Sequence, residues 1–209
     1  ATINVNVHPK PTAAFTPLSG IDCTPKAITF SNSSSGQLGA SPYRWAINYT
    51  NYSSATPSHI FTNLGVIDST YNTKLVVTSG FGCKDSTSGN YTIHPNPKAR
   101  FSAKNTSACA PFKIDSLNIF DSLYTGTNGI YSWYVNGTLV GTPSTSLTGF
   151  PGFTINNAND SVVIKLIVAS KFSCPAKDSM QIVFNTSPNP IPGFMVSKQN
   201  FCGDRKSVV

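Results

Sequence analysis

The stretch Tyr131-Ser132-Trp133-Tyr134-Val135-Asn136-Gly137 places aromatic and β-branched residues on both sides of a two-residue alternation and stops on Asn-Gly. That composition fits a pleated strand, and Asn-Gly supplies the positive φ that both central positions of a type I′ hairpin turn require. The segment predicts a strand with a tryptophan at its centre, running into a tight hairpin. Tyr43-Arg44-Trp45-Ala46-Ile47-Asn48 aligns with it, so the same strand is expected twice.

The alignment extends along the chain. Pro-x-Pro-x-x-x-Phe-x7-Cys occurs in one register as Pro9, Pro11, Phe15, Cys23, as Pro95, Pro97, Phe101, Cys109, and as Pro188, Pro190, Phe194, Cys202. Successive copies lie 86 and 93 residues apart, the size of a small domain rather than of a solenoid unit. Lys74-Leu75-Val76-Val77 through Phe81-Gly82-Cys83 matches Lys165-Leu166-Ile167-Val168 through Phe172-Ser173-Cys174. Asn4-Val5-Asn6-Val7-His8-Pro9 matches Asn90-Tyr91-Thr92-Ile93-His94-Pro95. The expected organisation is residues 1–7 as the last strand of a preceding repeat, repeats over 8–94 and 95–187, and the start of a third over 188–209.

Sustained helical periodicity is missing, and 15 Gly with 15 Pro cut the chain into short runs. Ala27–Phe30, Tyr43–Ile47, Tyr131–Val135 and Ser161–Ser170 read as strands. Several short strands per repeat, one central Trp, and a Cys early and late in each predict an all-β fold of tandem immunoglobulin-like sandwiches. Phe15, Trp45, Phe101 and Trp133 are the expected core residues. Trp45 and Trp133 alternate with Tyr and with Ile or Val, which favours plugs between sheets over sugar-stacking platforms.

Charged residues make up 11% of the chain against 39% apolar, and the net charge of +7 reflects eight Asp with no Glu. The basic residues are scattered singly, so no patch for nucleic acid is read, and no run approaches the roughly 18 apolar residues of a membrane helix. Cys23 with Cys83, and Cys109 with Cys174, occupy matching positions inside each repeat, and intra-repeat disulfides are the expectation. Loops of that length restrict the unfolded chain by roughly 4 kcal/mol on the entropy model. Cys202 then has no partner within the sequence. No Cys-x2-Cys or His-x3-His cluster occurs, His8 and His94 sit in linkers, and no metal is read. Oxidised cysteines point outside the cytoplasm.

These residues resemble the PKD (polycystic kidney disease) domains, and most closely the Cys-containing PKD-like repeats of very long surface proteins in Bacteroidota. The resemblance is carried by Cys23-Thr24-Pro25 leading to Thr29-Phe30-Ser31-Asn32-Ser33-Ser34, by Tyr43 and Trp45, by Pro57, His59, Phe61 and Gly65, by Cys83-Lys84-Asp85, and more loosely by Cys174 and Asp178. The family's Trp-Asp-Phe-Gly-Asp-Gly is replaced by Trp45-Ala46-Ile47-Asn48-Tyr49-Thr50 and Trp133-Tyr134-Val135-Asn136-Gly137-Thr138, so cation binding by acidic loop residues is not carried over. The resemblance implies a stalk or filament shaft of a large adhesin on the surface of a Gram-negative bacterium, linked to adhesion or gliding motility. Its partners would be neighbouring repeats, surface polysaccharide, or secretion and motility machinery. The alternative it implies is a polysaccharide-binding PKD module of a secreted hydrolase. A row of exposed aromatics would mark that alternative, and Tyr49 with Tyr52, or Phe150 with Phe153, are the candidates.

Six of the eight Asp precede Ser, at Ser69, Ser86, Ser116, Ser122, Ser161 and Ser179, where chance would give about one. Each triplet ends in Thr, Leu, Val or Met, which resembles the O-glycosylation motif of Bacteroidota surface proteins. Asp-Ser is also an ordinary turn former. Catalysis is not expected, and no cofactor is read. The sequence has no Glu for a glycosidase pair, no Gly-x-Ser-x-Gly and no phosphate loop, and His59 takes a structural role in the family pattern.

Overall fold

The computed structural model describes residues 2–36, 38–115, 117–118, 129–145 and 150–193, and among them there is no helix. The first half carries β1 (Phe15–Thr16), β2 (Ser19–Cys23), β3 (Lys26–Thr29), β4 (Ser31–Asn32), β5 (Leu38–Ile47), β6 (Thr50–Tyr52), β7 (Ser58–Phe61), β8 (Ser69–Ser79) and β9 (Lys84–His94). The second half carries β10 (Ser102–Ala103), β11 (Ser107–Cys109), β12 (Phe112–Ile114), β13 (Leu117–Asn118), β14 (Gly129–Val135), β15 (Thr138–Ser144), β16 (Phe153–Ile155), β17 (Ser161–Ser170) and β18 (Lys177–Ser187).

Topology repeats strand for strand. One sheet has the order β2-β9-β8-β5-β6, the other β11-β18-β17-β14-β15, and the first strand of each joins its neighbour in parallel while the rest are antiparallel. The facing layers are β3-β7 with β1-β4, and β12-β16 with β10-β13. Among the described residues no sheet draws strands from both halves. This is an all-β chain of two immunoglobulin-like sandwiches.

Burial follows the strand period. In β17 buried residues alternate along the strand, so Val162, Ile164, Leu166 and Val168 point inward. Trp45 lies opposite Leu75 and Trp133 opposite Leu166 in the register, and both indoles are almost fully buried, as are Phe15 and Phe101. Each Phe meets its Trp edge to face with centroids 5.1 Å apart, a geometry that adds about 1 kcal/mol to the burial of the rings themselves. The Trp45 indole N–H donates to the Ser54 carbonyl at 2.9 Å.

Hairpin turns reveal one difference between the repeats. Asn136 and Gly137 take φ of 46° and 82°, closing β14 onto β15 as the Asn-Gly pair predicts. The matching turn between β5 and β6 is Asn48-Tyr49, with Tyr49 at φ 64° and its side chain fully exposed. A left-handed conformation costs a non-glycine residue roughly 1–2 kcal/mol, and nothing packs on Tyr49 to offset it. Tyr49→Gly is therefore expected to raise the stability of the first sandwich by about 1 kcal/mol, read as a higher urea midpoint with an unchanged slope. A lower midpoint would contradict this account of the turn.

Residues 2–10 lie outside any strand. Val5 and Val7, which align with Tyr91 and Ile93 of β9, are 78% and 89% exposed where their counterparts are 1% exposed. The strand read over residues 1–7 has no sheet to join among the described residues.

Candidate functional site

The site that the fold builds is the joint where the first sandwich meets the second. β2 runs parallel to β9 and sets Cys23 opposite His94 at the far end of that strand. Cys83 lies in the turn between β8 and β9, at the near end. β9 is 11 residues long, and at about 3.3 Å per residue it holds these ends about 33 Å apart. A disulfide requires Cα atoms within about 7 Å. The expected Cys23–Cys83 bridge is therefore excluded by the length of one strand, and Cys109–Cys174 is excluded in the same way. Cys109 ends β11 opposite Ser187, the last residue of β18, while Cys174 sits in the turn before β18. Instead, Cys23 is bonded to Cys174 across the joint, with Cα atoms 5.6 Å apart, and Cys83 and Cys109 are free thiols. Cys202 lies outside the described residues.

Around the bridge the joint is ordered on both sides. The turn Ser170-Lys171-Phe172-Ser173-Cys174 brings the Phe172 ring flat onto His94, with centroids 3.8 Å apart and planes 2° from parallel. Lys171 holds its ammonium 5.1 Å from the same ring. His94 Nδ1 lies 2.8 Å from Asp68 Oδ1, and its backbone carbonyl accepts the Thr24 N–H. Behind it the buried Asn63 side chain donates to the carbonyls of Ile67 and Ile93, accepts the Gly65 N–H, and presents its own backbone N–H to Thr24 Oγ1 at 2.8 Å. This network fixes the ends of β2 and β9 that carry Cys23 and His94. Pro95 and Pro97 of the connecting segment are buried.

A carboxylate guides each connecting segment into its sandwich. Asp85 accepts the Ala13 N–H at 2.8 Å, and Asp178 accepts the Ala99 N–H at the same distance. Each alanine stands two residues before the buried Phe. Lys10 adds an ion pair to Asp85 at 2.6 Å. The Ala13 N–H, followed by Lys10, holds the Asp85 carboxyl below its ordinary value of 3.8.

The serines of the Asp-Ser triplets divide as follows. Ser86, Ser161 and Ser179 are exposed, Ser69 is half-buried, and Ser116 and Ser122 fall outside the described residues. Several of the aspartates have backbone duties of their own. Besides clamping Ala99, Asp178 accepts the Ser179 N–H at 2.9 Å, and Asp160 accepts the Ser161 N–H at 2.8 Å. The candidate aromatic rows do not form. Tyr52 packs against the first core and bonds His59 Nδ1 at 2.8 Å, and Phe150 and Phe153 pack against the second core, which leaves Tyr49 alone in solvent. His59 is wedged beside Phe61, and burial lowers its pKa below 6.5.

Sequence reading passed over His94 and Phe172 as joint residues, and over Asp85 and Asp178 as clamps. The signal was present: His-Pro precedes two repeats, and a Phe stands two residues before each late Cys.

No family model matches the chain, and no curated protein sequence matches it. Among solved structures it is similar to the fibronectin(III)-like modules of Clostridium thermocellum CbhA, at 14% identity and a TM-score of 0.32 over 90% of this chain and 100% of that one. It is also similar to a structure from a 1.5-MDa bacterial ice-binding adhesin, at 13% identity and a TM-score of 0.39, covering 88% of this chain and 66% of that one. A third is one of the carbohydrate-binding modules of the β-sandwich superfamily, at 12% identity and a TM-score of 0.37 over 87% and 86%. The fold assignment rests on the chain's own topology.

The Asp85 clamp has a pH signature. A carboxyl depressed on folding contributes stability that is present above its unfolded pKa and lost as pH falls through its folded one. Asp85→Ala is expected to destabilise the first sandwich at pH 7, and the difference from the unaltered chain should shrink as pH drops below 3.8. Urea midpoints at pH 7 and pH 2 read this out, and a difference that stays constant would show that the carboxylate charge is not what holds Ala13.

Proposed function

We propose that the chain is a non-catalytic stretch of a tandem array, PKD-like in type, that serves as the stalk or filament shaft of a large adhesin on a bacterial surface. The observation that carries this reading is the joint. A disulfide, a flat His94–Phe172 stack and buried prolines bind consecutive sandwiches far more tightly than a polar linker would, which is what a shaft under tension needs and a freely swivelling module does not. An inter-sandwich disulfide also supports an extracellular location, since such bonds persist in oxidising compartments. In the same reading Ser69, Ser86, Ser116, Ser122, Ser161 and Ser179 are O-glycan acceptors, and the exposure of Ser86, Ser161 and Ser179 supports it. Sugars there would supply the solvation that 11% charged residues do not.

Force spectroscopy on the chain held by its ends tests the shaft reading. Tension entering at residue 1 passes through Cys23 and Cys174 and bypasses the segment between them, which spans 151 residues. The oxidised chain is expected to extend about 500 Å less than the reduced one at full unfolding. Equal extension with and without reductant would remove the covalent joint, and the shaft reading with it.

Tyr49 favours a second reading, as a polysaccharide-binding module. Its ring is fully exposed at the tip of a turn beside an open groove of about 560 Å³ lined by Asn48, Ser69, Thr70 and Asn72. Retention on an immobilised polysaccharide that Tyr49→Ala abolishes would support this reading over the shaft.

A further inference from the structure

The two free cysteines sit in copies of the positions that form the bridge. On one side, the turn Ser79-Gly80-Phe81-Gly82-Cys83 is built like the turn Ser170-Lys171-Phe172-Ser173-Cys174. In each a buried serine hydroxyl accepts the N–H of the Phe two residues on, at 3.3 Å and 3.2 Å, and the residue before the cysteine takes a positive φ, 82° at Gly82 and 61° at Ser173. Phe81 already carries a histidine. The His8 ring lies flat on it, centroids 3.6 Å apart and planes 5° from parallel, as His94 lies on Phe172. At this end no sandwich among the described residues covers the contact: His8 is exposed where His94 is 8% exposed, and Phe81 is 53% exposed where Phe172 is 38% exposed. The residues leading into His8 carry Val5 and Val7 in the register of the buried Tyr91 and Ile93.

On the other side Cys109 is set as Cys23 is. Cys23 pairs with the last residue of β9, and Thr24 N–H donates to that residue's carbonyl at 3.0 Å. Cys109 pairs with the last residue of β18, and Ala110 N–H donates to that residue's carbonyl at 3.0 Å. Asn189 Nδ2 then donates to the Ala110 carbonyl at 2.9 Å, holding the outgoing segment against the end that carries the thiol. Ser187 stands where His94 stands in the formed joint, so the aromatic stack is replaced at this end and the thiol is retained.

We propose that Cys83 and Cys109 are the open halves of further joints of the same kind. Cys83 bonds the early cysteine of a sandwich of this repeat type stacked before it, and Cys109 bonds the late cysteine of one stacked after it. Every joint of the array then carries a disulfide from the early cysteine of one sandwich to the late cysteine of the next, a ladder in which successive covalent loops overlap. The bond forms as two thiols give up two protons and two electrons to a small-molecule disulfide or a dithiol oxidoreductase in its disulfide form, which is released as two thiols. The ladder follows from the joint geometry and holds whatever the array carries at its tip.

A chain in which residues 1–94 are followed directly by residues 9–209 tests it, because joining His94 to Pro9 restores the His-Pro junction. A Lys84→Arg mark in the second copy separates the two Cys83 peptides by mass. After refolding in a glutathione redox buffer, the two added cysteines are expected to add no alkylatable thiol, and the marked Cys83 peptide should be found bonded to a Cys23 peptide. Two additional reactive thiols, or the unmarked Cys83 bonded to Cys23, would overturn the proposal. If that chain does not fold, residues 1–187 followed by residues 95–209 test the other half. There Cys109 of the first copy must bond Cys174 of the second, and a Cys109 that stays alkylatable in both copies sinks the ladder.

Discussion

The parallel pairing of β2 with β9 governs the rest of the structure. It carries Cys23 to the end of β9 where the chain leaves the first sandwich, and it leaves Cys83 at the other end of the same strand. Since β11 repeats this pairing with β18, each sandwich has an early cysteine at its exit face and a late cysteine at its entry face. Neither can reach the other across about 33 Å of extended strand. Both can reach a neighbour. The cysteines therefore fasten sandwiches to each other, and each core must hold its own sandwich without a covalent brace. The aromatic cluster of Phe15, Phe30, Trp45, Phe61 and Tyr91 does this in the first sandwich.

Magnitudes explain why the joint needs a covalent bond. A stacked pair such as His94 on Phe172 contributes about 1 kcal/mol beyond its buried area. Contacts of that size would hold two tethered sandwiches together most of the time and let them part often, since each 1.4 kcal/mol is one factor of ten in the opening equilibrium. The Cys23–Cys174 bond removes opening at that face from the equilibrium, and the non-covalent contacts then set the angle.

Much of the fold was legible in the sequence for a simple reason: strand periodicity and turn chemistry are local. Trp45 and Trp133 sit in strands whose neighbours alternate, Asn136-Gly137 could make little other than a tight turn, and Phe15 and Phe101 recur in one register. The pairing of the cysteines was not legible, because repeat alignment reports which positions correspond and not which end of a strand they occupy. Cys23 and Cys83 share a repeat, and the sequence does not display the parallel edge pairing that separates them. The Asp-Ser triplets show the same limit of local reading. At Asp85 and Asp178 the carboxylate has a backbone partner 72 and 79 residues away in sequence, which no local motif displays, so the part these acids play in folding is invisible in the triplet itself.

Non-reducing peptide mapping of the oxidised chain decides which cysteines the parallel pairing brings together. After alkylation of free thiols and proteolysis, the peptide containing Cys23 should be recovered bonded to the peptide containing Cys174, with Cys83 and Cys109 carrying the alkyl label. Recovery of Cys23 bonded to Cys83 together with Cys109 bonded to Cys174 would contradict the account, since it would require each early cysteine to lie at the opposite end of its sandwich from where the parallel pairing puts it.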